Sequence, residues 1–187
     1  MDLLGIVLLA IGLVFFAVLI AFLLIYNSLI RLQNNIRKSW ANIDVLLKQR
    51  SDELPNLIAS VKGYMDHERT TLETLTKART DLLRASTMSK KAVADIRITQ
   101  ALKMIFAVAE SYPTLKANEN FLKLQNRITA LENQLADRRE FYNDSVNIYN
   151  IRIHSIPDLL IARLVHYTDE PLFKASADES TIAPVQM

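Results

Sequence analysis

Few side chains in this sequence have the chemistry for a reaction, and their spacing gives them little to do together. The histidines are His67, His154 and His166. A zinc site needs ligands gathered on one face, as when two histidines stand four apart on a helix. No two of the three stand at such a spacing. His67, followed by Glu68, reads as solvated surface. His154 falls at the end of a long periodic segment, where a partial positive charge suits the helix dipole. The absence of cysteine removes thiolate nucleophiles and cysteine-bound metals. Gly5, Gly12 and Gly63 are the only glycines and build no phosphate loop, and no serine stands in a nucleophile-elbow pattern. These patterns predict no enzyme: no catalytic residues, no cofactor, no metal and no small-molecule substrate.

The chain is organised instead around an apolar run from Leu3 to Tyr26. It includes Phe15, Phe16 and Leu24 and carries no charge; after Asp2 the next charge is Arg31. A helix needs ~20 apolar residues to cross the hydrocarbon core, so residues 1–26 are expected to form a transmembrane anchor, with Tyr26 in the interfacial aromatic belt. A cleaved signal would need basic residues before a shorter run and small residues at its end. Membrane lipid is thus the first expected partner. Arg31, Arg37, Lys38, Lys48 and Arg50 follow the span, against Asp44 alone. The positive-inside rule places the following domain in the cytoplasm and a short N-terminus outside.

About 160 residues follow, enough for one domain with a core. Lys plus Arg is 22 and Asp plus Glu 20, a net charge of +2 that offers no footprint for nucleic acid. Between residues 27 and 167 only Gly63, Pro55, Pro113 and Pro157 punctuate the chain, which favours long helices over a sheet. The expected class is all-α: one transmembrane helix, then an antiparallel bundle of three to four long helices over residues 27–167. Residues 168–187, acidic and without periodicity, read as a disordered tail.

Within the bundle, Leu29, Leu32, Ile36, Trp40, Ile43 and Leu47 recur at three and four, a seam continuing straight out of the membrane helix. At Pro55 either the helix kinks or a new one begins. The pattern resumes through Leu57, Val61, Leu72, Leu75 and Leu82, with Gly63 marking a further bend. Ser86–Ser89 is a polar gap before a third helix with Ile98, Leu102 and Ile105 inside. Tyr112 should end that helix, with a loop from Pro113 to Ala117 and a cap at Asn118 or Asn120. Phe121, Leu124, Ile128, Leu131, Leu135, Tyr142, Val146, Tyr149 and Ile153 then define the longest helix, ended by Ile156-Pro157. Leu159–Val165 is a short apolar stretch for the bundle end or for lipid.

Trp40, Leu124, Ile128, Leu131, Leu135, Tyr142 and Tyr149 are the candidate seam or self-association residues. Arg138 interrupts this seam. Arg138 and Arg139, beside Glu140 and Asp144, form either a surface ion-pair lattice or a contact between copies. Tyr-Asn recurs at 142–143 and 149–150, one heptad apart. Its asparagines are either neighbours of a seam ring or polar bonds that fix helix register.

Leu47-Lys48-Gln49-Arg50-Ser51-Asp52-Glu53-Leu54-Pro55-Asn56-Leu57, Ala107–Phe121 and Arg138-Arg139-Glu140-Phe141-Tyr142-Asn143-Asp144, the last continued by Arg152–Pro157, resemble three ordered signatures of the bacterial LemA family. The resemblance spans roughly residues 20–165. It implies a single N-terminal membrane helix, an all-helical domain and no known catalysis or cofactor. Pro55, Pro113 and Pro157 fall where helices should turn. The expected function is a scaffold in the bacterial inner membrane, forming a homo-oligomer that organises or shapes the membrane. The alternative is an adaptor or regulator of an envelope protein such as a membrane protease.

Overall fold

A computed structural model describes residues 2–64 and 68–174. Its helices are α1 (Leu3–Val61), α2 (Arg69–Arg84), α3 (Met88–Ala109), α4 (Pro113–Lys116), α5 (Glu119–His154) and α6 (Asp158–Val165). No strand occurs among the described residues, and the class is all-α. The described residues form two compact units, 2–39 with 142–172, and 40–64 and 68–141 with 173–174.

In the first unit, the apolar part of α1 is long enough to cross a membrane and none of it is buried by protein. Leu3, Phe15, Phe16 and Leu24 are all at least 60% exposed. So much exposed apolar surface on one helix is compatible with association with lipid. Phe22, Ile25 and Tyr26 are half-buried, and Leu29 and Ile36 are fully buried. The same unit buries Tyr142, Val146, Tyr149 and Ile153 from α5 at the spacing the sequence predicts. A cis Ile156–Pro157 bond separates α5 from α6. His166 closes α6 in the left-handed conformation, φ 59°. Tyr167 N–H then bonds the Ala162 carbonyl and His166 N–H that of Arg163, the paired bonds that satisfy a helix end.

In the second unit α2 and α3 pack along each other. Their inner faces are Leu72, Leu75, Ala78 and Leu82, and Ile98, Leu102 and Ile105. Thr87 caps α3 by accepting from Lys90 N–H. Asn118 caps α5 by accepting from Asn120 and Phe121 N–H at 2.9 and 3.2 Å. Pro113 does not open a loop: it stands at the first position of α4, where a missing N–H costs nothing.

At Pro55 no new helix begins. The proline lies inside α1, which runs on to Val61, so the turn falls at Lys62–Tyr64 and includes Gly63. A proline within a helix leaves the carbonyl four residues back without its donor. That carbonyl belongs to Ser51, which is fully buried, and Arg79 Nε of α2 donates to it at 2.9 Å. A side chain from the next helix replaces the missing backbone bond.

Arg79→Ala should therefore destabilise the protein by ~1–2 kcal/mol, measured by denaturant unfolding followed by circular dichroism. In a Pro55→Ala background, residue 55 regains its N–H and the cost of Arg79→Ala should shrink. Equal costs in both backgrounds would contradict this role for Arg79.

Candidate functional site

Three seam positions of the second unit carry charge rather than hydrocarbon. Leu47, Arg50, Leu54 and Leu57 recur on α1 at three and four, and all are buried. On α3, Asp95 precedes Ile98 and Leu102 in the same rhythm, and it too is buried. On α5, Arg139 stands four residues beyond Leu135. Arg50 Nη1 donates to Asp95 Oδ1 at 2.7 Å, while Arg139 Nη2 donates to Asp95 Oδ2. Each oxygen of one carboxylate thus holds a different helix. Glu132 Oε2, 3.5 Å from Arg50 Nη2, brings a second negative charge to the pair of guanidiniums. Arg139 also lies over the Phe173 ring at 5.0 Å, and that ring meets Trp40 with centroids 6.0 Å apart.

A second polar arrangement lies in the first unit, where residues 169–171 run along α5. Asn150 pairs with the backbone of Glu170 in both directions: Nδ2 donates to its carbonyl at 3.0 Å and Oδ1 accepts from its N–H at 2.9 Å. Tyr142 Oη donates to the Pro171 carbonyl at 2.9 Å, and His154 Nε2 lies 2.9 Å from Asp169 Oδ1. Burial, and after it the Glu170 charge, push the Tyr142 phenol up to about 12. Tyr149 is raised by burial first, then by Glu170, Tyr167 and Asp169. Both rings stay neutral at ordinary pH.

Of the candidate seam residues, Ile128, Leu131, Leu135, Tyr142 and Tyr149 are buried within the chain itself. Trp40 and Leu124 are half-buried, Trp40 with the Lys91 ammonium 5.8 Å from its ring. Arg138 is exposed. Arg139 belongs to neither arrangement expected of it: it turns inward to Asp95. Asn150 likewise bonds an extended segment rather than a helix. Arg50 and Asp95 were missed as site residues, although both occupy apolar-seam positions. The acidic segment from Thr168 is placed as far as Lys174, with Phe173 buried; residues 175–187 and His67 lie outside the described residues. Among the described residues no three His, Asp or Glu side chains gather to hold a metal ion. In both arrangements the polar groups bond one another and hold separate stretches of the chain together.

Comparison with known proteins gives a match between residues 39–186 and the family model described as the LemA family. The chain is 28% identical over 158 residues to Protein LemA of Metamycoplasma hominis, covering 82% of this chain and 70% of that protein. It is 23% identical over 187 residues to Magnetosome protein MamQ 2 of Paramagnetospirillum magneticum, covering 85% and 69%. Magnetosome protein MamQ of Magnetospirillum gryphiswaldense is 21% identical over the same shares.

Two outcomes follow from this geometry. Asp95→Asn leaves the fully buried Arg50 guanidinium with only the partly exposed Glu132 carboxylate 3.5 Å away and should cost about 3 kcal/mol, whereas Arg50→Met with Asp95→Leu should cost less. Denaturant unfolding of both variants checks this, and a near-neutral Asp95→Asn would overturn it. Because the folded-state Tyr142 value of about 12 lies above the ordinary 10.0, its contribution to stability is complete below pH 10 and is lost as pH rises through 12. Tyrosinate absorbance should show a late-titrating phenol that disappears in Tyr142→Phe.

Proposed function

The chain belongs to the LemA family, and from that premise we propose that it is a self-associating scaffold of the bacterial inner membrane. It organises or shapes the bilayer to which it is anchored and performs no catalysis. That the protein is membrane-associated and helical follows from α1 and its relatives. The further step rests on what α5 leaves outside. Its seam is occupied within the chain, yet Phe141, Ile148 and Ile151 are each more than half exposed on the same helix. Burying the exposed half of one such side chain against another copy contributes on the order of 1 kcal/mol. Confinement to a membrane raises the effective concentration of copies and makes modest contacts sufficient. Arg138, exposed one turn from Phe141, adds a charge for orienting neighbours.

Arg31, Arg37 and Lys38 are exposed on α1 just past the span. Their charge supports an N-terminus outside and a cytoplasmic helical domain.

Full-length protein in mild detergent, sized by light scattering with micrographs of the same sample, tests the reading. A uniform assembly is expected, reduced to monomer by Phe141→Glu with Ile148→Glu. A monomeric wild-type protein would overturn it. If that monomer co-purified with one envelope protein, the role would be that of an adaptor or regulator, for example of a membrane protease.

A further inference from the structure

We propose that α6 is a second membrane contact, lying in the surface of the bilayer that α1 crosses with Ile156, Leu160 and Leu164 turned into the lipid. The helix is two-sided. Asp158, Ile161 and Ala162 are buried, whereas Ile156, Leu160 and Leu164, four residues apart, are 81, 66 and 68% exposed. Leu160 and Leu164, one turn apart on this short helix, and Ile156 in the turn before it leave an apolar surface that is largely exposed among the described residues.

The position of the stripe identifies what covers it. Arg152 Nη1 donates to Ser28 Oγ at 3.2 Å, and Arg152 Nε donates to Asp158 Oδ1, the first residue of α6, at 3.1 Å. One guanidinium therefore ties the start of α6 to the point where α1 leaves the membrane. Just beyond the far end of α6, the Tyr167 ring meets the Tyr149 ring of α5 edge-on, with centroids 6.3 Å apart. On α1 itself, protein first covers Phe22, Ile25 and Tyr26, within the apolar run, while Leu23 and Leu24 stay exposed. Protein therefore reaches down beside the last turns of the span, where Tyr26 marks the water interface. Arg163 is exposed on α6, and Arg31, Arg37 and Lys38 on α1. These cations suit the phosphate-bearing headgroups around such a stripe. A helix of two turns binds lipid poorly alone, but here the anchor already holds it at the surface.

The absence of native cysteine makes single labels unique. Leu160→Cys, Leu164→Cys, Asn147→Cys as the aqueous reference and Leu13→Cys as the lipid reference would each carry a nitroxide. The full-length protein would be placed at one copy per nanodisc of mixed zwitterionic and anionic lipid. Collision with oxygen against a water-soluble nickel chelate reads the surroundings of each label. Positions 160 and 164 should follow 13, favouring oxygen, and differ from 147. Chelate-dominated collision at 160 and 164 would overturn the proposal, as would shielding that appears only with several copies per disc. With one copy per disc, the result does not depend on self-association.

Discussion

A guanidinium taken out of water costs several kcal/mol unless charge and hydrogen bonds await it. Arg50 is fully buried on α1, and its partner Asp95 is equally buried on α3. Asp95 spends its second oxygen on Arg139 of α5. Hydrophobic seams alone tolerate sliding, since one leucine packs much like the next. This cluster does not: a shift of one helical turn, ~5.4 Å, would strand a charge. The apolar seams supply most of the favourable burial in the second unit, while the cluster selects which alignment of three helices that burial can accompany.

Much of this arrangement was legible in the residues. The long apolar N-terminal helix follows from an unbroken apolar run, while the seam from Leu29 to Leu47 and the long run to Ile153 follow from apolar spacing, because burial imposes a period close to 3.6. Arg139 was not legible for the same reason. Both 138 and 139 lie within reach of a three-four rhythm after Leu135, and only the three-dimensional path of α5 shows that two steps of four follow each other there. Arg50 and Asp95 sit in register too, but a charge on a seam is ordinarily read as an interruption. It becomes a site only when its partner, 45 residues away, is known to face it.

Pro55 teaches a related lesson. The propensity of a proline to end a helix is local, whereas the donor that lets α1 continue comes from Arg79, on another element. Asn150 was left between two readings for want of the same information, and its partner is the peptide group of Glu170. In each case the residue was noticed and its partner was not, because polar partnerships carry no period along the chain. Apolar surface can be satisfied by any neighbour; a hydrogen bond needs a particular one.

The Asn150 pairing also bears on how freely this stretch of sequence can drift. A side chain that bonds both the N–H and the carbonyl of residue 170 senses the backbone and is indifferent to what the residue carries. These two bonds can form with nearly any amino acid at 170. Proline alone is shut out, for want of the hydrogen that Asn150 accepts. Proline at 171 meets no such bar, since its carbonyl is all that Tyr142 requires.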